Sequence, residues 1–493
     1  MTTRLVFHRC ELSDHEIGRQ WNIPSRWLFC DEFFERIQRA FPSSTPSRIM
    51  RPITRARFNV VAGYARHPNV ARIAREIGWF EIDSHKVIGV LIVDSDGEFS
   101  GIVLTADLDE RYRWVNQTRF CETRAEAEGQ LEQYLAAAAR DFDRIRVQGD
   151  ESGAMDFFTP IGVESRLHPT FSVLAGQTAY IAARRIVDLM MRWYRDQDGN
   201  FVEQFQTSGF DARIWELYLF ATLVEAGYVI EQPSPAPDFK AIGLKGSFCV
   251  EATTINPSQD GSATPRPTPN DTSEVVDAYL QHYLPIRFAG PLTSKLRKRY
   301  WEHPDAAGLP LLFAIQDFHD DLSMTYSGTA LSVYLYGKVV DAVSSSGGAS
   351  TSVRSISHHL WGTKKIDSGF FFQPDAENIS AVLFNPAGTL TKFNRIGVST
   401  GFGASAVTLV HQGIRYAGDP PELQPFSNEV SEEHHEQWIA GMNVFHNPRA
   451  IFPLKPEMLP GAAHHHFVDG RFESLIPAGH LESSRTLNVV ARI

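Results

Sequence analysis

Three carboxylates stand at positions where apolar residues would be expected. Asp238 follows Pro237 at the start of a short strand, and Glu251 lies thirteen residues later inside Val250-Glu251-Ala252-Thr253, an otherwise apolar strand. Glu216 interrupts an aromatic-rich helix upstream of both, in Trp215-Glu216-Leu217-Tyr218. A charge in a central strand is costly to bury unless a partner compensates it. A shared divalent cation would do so: hard carboxylate oxygens suit Mg²⁺ (or Mn²⁺), and that ion with its bound waters suits phosphodiester chemistry. The plainer alternative is that Asp238 caps a turn and Glu251 makes an ordinary ion pair.

The elements that must position these acids can be read from the pattern. Residues 209–228 predict a helix with Ile214, Leu217, Tyr218, Ala221 and Leu223 on its buried side and Gly227 as its stop. A strand at YVIEQ, the rigid segment SPAPDF and a short strand at SFCVEATT follow. The polar, Pro-rich stretch from Pro257 to Asp271 reads as a loop. A helix near 273–301 and the apolar strand LPLLFAIQDF complete a block whose order suggests a mixed sheet flanked by helices.

The surrounding chain divides around that block. Residues 1–150 read as an α+β unit with a hairpin, 87–95 and 99–108, joined across Asp96-Gly97, and a helix from Glu122. Nothing in that unit carries recognisable chemistry, and a scaffold or specificity module is its simplest role. Residues 151–204 read as a helical connector with a helix over 178–197, residues 205–325 as the core, and 326–493 as a strand- and loop-rich extension that packs on or continues it. In that extension ALSVYLYGKVV, SGFFFQ and ISAVLFNPAG look extended, SSSGGAST at 344–351 reads as a short flexible loop, and an irregular tail starts near 420. The expected fold class is therefore α/β, in a multidomain α+β arrangement.

Composition sets outer limits. The chain has 493 residues, enough for two or three domains, and its 43% hydrophobic and 21% charged residues describe an ordinary globular protein. A net charge of −11 weighs against a protein coated in nucleic acid, so any such contact needs a local basic patch. Four scattered cysteines suggest neither a zinc knuckle nor a disulfide framework. The N-terminus lacks an apolar signal region and no window approaches the ~18 apolar residues of a membrane span, so a cytoplasmic protein without a membrane partner is expected. The oligomeric state is open, a homodimer included.

The helix WELYLFATLVEAGY with Glu216, then Pro237-Asp238, then Glu251-Ala252-Thr253 resembles the PD-(D/E)XK, or restriction-endonuclease-like, nuclease superfamily over about a quarter of the chain. The resemblance implies an αβββαβ core in which Asp238 and Glu251 bind Mg²⁺ and Glu216 completes the coordination directly or through water. It implies a nuclease acting on DNA (less readily RNA), in bacterial restriction, repair or defence. The third position of the motif should be lysine, whose ammonium orients the attacking water and offsets transition-state charge; here it is Thr253. Within the superfamily that lysine sometimes migrates, and LTSKLRKRYWE offers Lys295 and Lys298 in its place. The alternative is a catalytically silent relative kept as a nucleic-acid-binding or structural module, with Thr253 the trace of lost activity. A third reading makes the acids structural and gives the C-terminal half a small-molecule role.

Other constellations carry less. Tyr300 and Trp301 could stack on bases beside the basic helix, but aromatics at helix ends usually belong to a core. Asp317, His319 and Asp320 sit at a strand end that could border a ligand crevice or simply form a turn. His446 and the run His464, His465 and His466 invite a metal, but consecutive histidines point in different directions and suit packing or surface better. Gly401-Phe402-Gly403 lacks the context of a nucleotide loop.

Overall fold

The computed structural model describes residues 50–491 except 83–85, 195, 197, 198, 259–263, 269, 324, 325, 346, 347 and 419–421. The N-terminal segment read above for a signal therefore lies outside the described residues, as does part of the Pro-rich loop. The chain is mixed α/β, with one mixed sheet and several antiparallel ones, and it divides into two compact units. One comprises the chain through Phe157 with Asp188–Trp193, the other Phe158–Val187 with Tyr194–Ile493.

The first unit is an antiparallel meander of five strands in sequence order: β1 (Arg51–Pro52), β2 (Ala74–Ile82), β3 (Val87–Asp94), β4 (Phe99–Ala106) and β5 (Tyr112–Gln117). The β3–β4 hairpin turns at Gly97, whose φ of 84° a β-carbon would disfavour. Helix α1 (Arg55–Ala62) begins at Thr54, whose hydroxyl accepts the Arg57 N–H. Helix α2 (Arg124–Arg140) lies on the sheet, with Leu131 and Leu135 fully buried. Gly89 and Gly101 make that approach possible: a β-carbon at Gly89 would stand 2.9 Å from Leu135, and one at Gly101 2.9 Å from Leu131.

The second unit is built on an eight-stranded sheet. Helix α3 (Phe210–Glu225) precedes β6 (Val229–Glu231), β7 (Phe239–Gly243) and β8 (Gly246–Ile255). Helix α4 (Leu284–Arg297) leads to β9 (Leu311–Asp317), and helix α5 (Ser327–Tyr336) follows. Two antiparallel hairpins come next, β10 (Lys338–Ser345) with β11 (Gly348–Ser355) and β12 (His358–Trp361) with β13 (Lys364–Asp367). The sheet continues with β14 (Ala381–Phe384), and helix α6 (Leu390–Ser399) follows it. A three-stranded antiparallel sheet is formed by β15 (Val407–Ala417), β16 (Glu422–Glu429) and β20 (Leu481–Val490). The large sheet is completed by β17 (Asn443–His446), β18 (Ala463–Val468) and β19 (Arg471–Leu475), in the order β19-β18-β17-β14-β9-β8-β7-β6. Pairing is antiparallel from β6 to β8, and parallel between β8 and β9 and between β9 and β14.

Both faces of the sheet are covered. Cys249, Phe313 and Ile315 pack with Phe288 and Leu292 of α4 and Tyr334 of α5 in one core. On the other face Phe239 meets Tyr194, whose ring meets Phe220 of α3. α3 is buried nearly all round, as an interior helix must be. Its Trp215 indole donates to the Ala314 carbonyl at 3.1 Å, and its Tyr218 hydroxyl to the Trp438 carbonyl at 2.9 Å. Trp215→Ala would remove both the ring and the bond, at a cost of about 3–5 kcal/mol.

Four expectations for the C-terminal half are overturned. ALSVYLYGKVV is helix α5 through Tyr336, ended by Gly337 at φ 64°, and only then turns into strand. Seven of its ten residues are buried, and the polar stripe is confined to Gly328, Thr329 and Ser332, too short to mark a helix by its period. SSSGGAST belongs to the paired strands β10 and β11, with residues 346 and 347 outside the described residues. The tail beyond 420 supplies β16 to β20: β16 and β19 pair with the strand just before them, whereas β17 pairs with β14 and β20 with β15 across long stretches of chain. SGFFFQ contains a single 3₁₀ turn, Phe370–Phe372, whereas ISAVLFNPAG does contain strand β14.

Candidate functional site

The β7–β8 hairpin brings the two motif acids together. Its strands pair Gly243 with Gly246 and Phe239 with Val250, so one step further along the ladder sets Asp238 opposite Glu251. Residues directly opposite in an antiparallel pair share a face. The Asp238 N–H donates to Glu251 Oε2 at 3.2 Å, and Asp238 Oδ2 accepts the Ala252 N–H at 2.7 Å. The thirteen-residue spacing is thus the geometry of a short hairpin in which each acid is tied to the other strand.

Glu251 faces the α4 side of the sheet, because it pairs with Phe313 and flanks Cys249 in the same alternation. The apolar stripe Phe288, Leu292 and Leu296 seats α4 on that face. Lys295 consequently projects toward the strand, and its Nζ lies 2.5 Å from Glu251 Oε1. The Glu251 side chain is 5% exposed and that of Lys295 19%, so the pair is largely shielded from water. After α4 the chain reverses through Arg299 at φ 51°, and Tyr300 returns beneath the helix with its ring 5.8 Å from the Nζ of both Lys295 and Lys298. Burial, then a hydrogen bond to Glu251 and that residue's charge, pushes the Tyr300 phenol well above its ordinary value.

Glu216 comes from α3, on the opposite face. Its Oε2 accepts from Arg213 at 2.6 Å and from the Tyr194 hydroxyl at 2.9 Å. Burial and the Glu216 charge hold the Tyr194 phenol far above its usual range, where it remains a donor. Asp238 feels all three neighbours: its carboxyl is pushed up to about 7 by burial, then by Glu251 and Glu216, against Lys295 and the Ala252 N–H. A small cavity of about 70 Å³ reaches Asp238 between Tyr194, Asn200, Arg213 and Ser234. Arg213 Nε and Asn200 Oδ1 are buried there without hydrogen-bond partners.

These observations test the fit of a divalent ion. Asp238 and Glu251 are adjacent oxygen donors, and burial first and the neighbouring Glu251 charge second raise Asp238, a penalty that a bound cation relieves. Glu216 fits less well, since Arg213 and Tyr194 already satisfy it. The three acids are not gathered with an oxygen from each within 4.8 Å of the others; among the described residues only His411, His434 and Glu436 form such a set. The donor set at the hairpin is therefore a pair, suited to Mg²⁺ or Mn²⁺ that keeps several of its waters.

The remaining sequence candidates fall into place around this pair. Thr253 is half-buried on β8, two residues beyond Glu251 on the same face, opposite Ile315. Lys298 is exposed at the end of α4. Tyr300 is 3% exposed and belongs to the core, while Trp301 is half-buried. Asp317 and His319 form a closed network: His319 Nδ1 lies 2.7 Å from Asp317, and its Nε2 lies 3.1 Å from the Tyr279 hydroxyl. Asp320 pairs with Arg266 at 2.8 Å. His446 stacks on His466 at 4.1 Å and contacts His464 at 2.9 Å. Tyr194 and Arg213 were missed as partners of Glu216; the three-residue interval from Arg213 to Glu216 within one helix was the signal available.

No family model matches the chain, and no curated protein or solved structure matches it either. Among the described residues no helix is long and apolar enough to cross a membrane.

Proposed function

We propose that the second unit is a metal-dependent nuclease of restriction-endonuclease-like type, hydrolysing phosphodiester bonds, in DNA before RNA. The observation that carries this reading is the Lys295–Glu251 pair: an ammonium from α4 stands beside the acid whose motif partner, Thr253, lacks a charge. The element order α3-β6-β7-β8-α4-β9 supports it, since it is the αβββαβ order that the resemblance implies.

In this reading Asp238 and Glu251 hold Mg²⁺, which when bound would polarise the phosphate and its own water. Lys295 orients the attacking water and offsets charge developing on the phosphoryl oxygens. Tyr300 holds Glu251 and packs beneath Lys295, limiting where the ammonium can go. Arg213 and Tyr194 keep Glu216 neutralised beside Asp238, so Glu216 tunes the site more than it ligates. The first unit would recognise substrate or a partner.

A second reading, a non-cleaving nucleic-acid-binding module, draws support from that neutralised Glu216. The two separate in one experiment. Purified protein is incubated with supercoiled, linear and single-stranded DNA and with RNA, in Mg²⁺, Mn²⁺ or EDTA, beside Asp238→Ala and Glu251→Ala. Metal-dependent cleavage lost in both variants is expected. Folded wild-type protein that cuts none of these substrates but retards them in a gel would replace the nuclease with the binding module.

A further inference from the structure

A second cluster of ligating side chains lies on the three-stranded sheet. His411 is on β15 and 3% exposed, and its ring meets that of His434 edge-on, with centroids 5.4 Å apart. Glu436 follows in the same segment after β16. One ligand atom from each of the three lies within 4.8 Å of the others. Nε2 of His411 is buried without a hydrogen-bond partner, and Nε2 of His434, also buried, has only a long contact to Glu436. A buried polar atom left without a partner is unfavourable, so the His411 nitrogen beside a second imidazole and a carboxylate calls for an explanation.

Glu436 already binds two cations. Arg395 Nε donates to Oε2 and its terminal nitrogen to Oε1, both at 2.7 Å, and Lys392 Nζ lies 3.4 Å from Oε1. A carboxylate oxygen accepts about two bonds. Oε2 therefore keeps one acceptor direction, and His434 Nε2 stands 3.5 Å from it. The charge of Glu225 also acts on Lys392, so the two cations face two carboxylates and the cluster is near neutrality. Two imidazoles and one carboxylate suit a borderline transition-metal ion better than Mg²⁺.

We propose that His411, His434 and Glu436 form a binding site for one Zn²⁺-class ion, which pins the segment after β16 to strand β15. The ion gives the buried His411 nitrogen a partner and links strand β15 to the segment that carries His434 and Glu436. The site is independent of the acid pair on the β7–β8 hairpin. Without the ion, Glu436 would serve only as counter-ion to Lys392 and Arg395, and the histidines only as packing.

The test uses the full chain, stripped with a chelator and titrated with Zn²⁺, with bound zinc measured by atomic emission. Wild type, His411→Ala, His434→Ala and Asp238→Asn are compared, with circular dichroism reporting folding. About one zinc per chain is expected in wild type and in Asp238→Asn, with affinity lowered on the order of 100-fold in each histidine variant. Wild type loaded with Co²⁺ supplies a readout that needs no variant: ligand-field absorption of a site with nitrogen donors is expected. Zinc retained equally by the histidine variants, zinc lost in Asp238→Asn alone, or the absence of Co²⁺ bands in wild type would each overturn the proposal. Failure of the histidine site leaves the cleavage assay on the hairpin acids untouched, and zinc lost in Asp238→Asn alone would instead assign the ion to that hairpin.

Discussion

Lys295 and Glu251, 44 residues apart in the chain, meet as an ion pair at 2.5 Å beneath helix α4. The contact depends on two separate placements. The β7–β8 hairpin sets Glu251 on the α4 face of the sheet, and the Phe288, Leu292 and Leu296 stripe sets the angle at which α4 presents Lys295. Lys298, one turn on, is exposed and touches only the edge of this arrangement through Tyr300.

This asymmetry separates the two lysines. Lys295→Ala is expected to lower cleavage by about 100-fold or more and to destabilise the protein by roughly 1–3 kcal/mol, since it strands a buried carboxylate. Lys298→Ala should stay within about 0.5 kcal/mol of wild type and within a few-fold in rate. Denaturant titration and a plasmid-nicking assay measure both; equal losses from the two substitutions would remove Lys295 from its assigned role.

The motif position itself offers a rescue. Thr253 lies on the same face as Glu251, two residues further along β8. Thr253→Lys in the Lys295→Ala background returns an ammonium to that face and is expected to recover cleavage to within about tenfold of wild type. A folded double variant no faster than Lys295→Ala would show that this face cannot deliver the charge.

Asp238 predicts a pH dependence. Its folded-state pKa of about 7 lies above the 3.8 of an ordinary aspartate, so the folded protein holds this proton more tightly than the unfolded chain. The associated stability is present below about pH 4 and is lost as pH rises through 7. Asp238→Asn keeps an acceptor for the Ala252 N–H and carries no charge. In EDTA, its stability relative to wild type is expected to increase from pH 5 to pH 8 by about 1–3 kcal/mol. A difference that does not change with pH would count against charge crowding in the metal-free hairpin.

The C-terminal histidines predict the opposite trend. Burial lowers His446 to about 3 and His465 and His480 to about 4, from an ordinary 6.5. The unfolded chain therefore binds more protons than the folded one between pH 6.5 and those values, and stability falls as pH drops through that window. The wild-type urea midpoint should decrease from pH 7 to pH 5, and His446→Gln should decrease less steeply. Parallel curves for the two proteins would exclude His446 as a source of the acid sensitivity.

The sequence by itself determined the local logic of the site. Asp238 at the start of one short strand and Glu251 inside the next were legible as candidates, and the β7–β8 hairpin, with two residues between its strands, makes these residues thirteen apart into cross-strand partners. The apolar helix before them and the basic helix after them were legible from composition and period. The first-unit hairpin was legible from its Asp-Gly connection for the same reason. What only the tertiary structure decided were contacts made across long separations. These include Lys295 rather than Lys298 beside Glu251, Tyr194 on Glu216, and His411 brought to His434 and Glu436. Helix α5 escaped detection because burial of seven of its ten residues leaves only a short polar face, and the eight-stranded sheet escaped because β17 finds β14 and β18 across intervening segments. Hydrophobic period records what each segment buries, whereas the packing of one segment on another decides which charged groups meet.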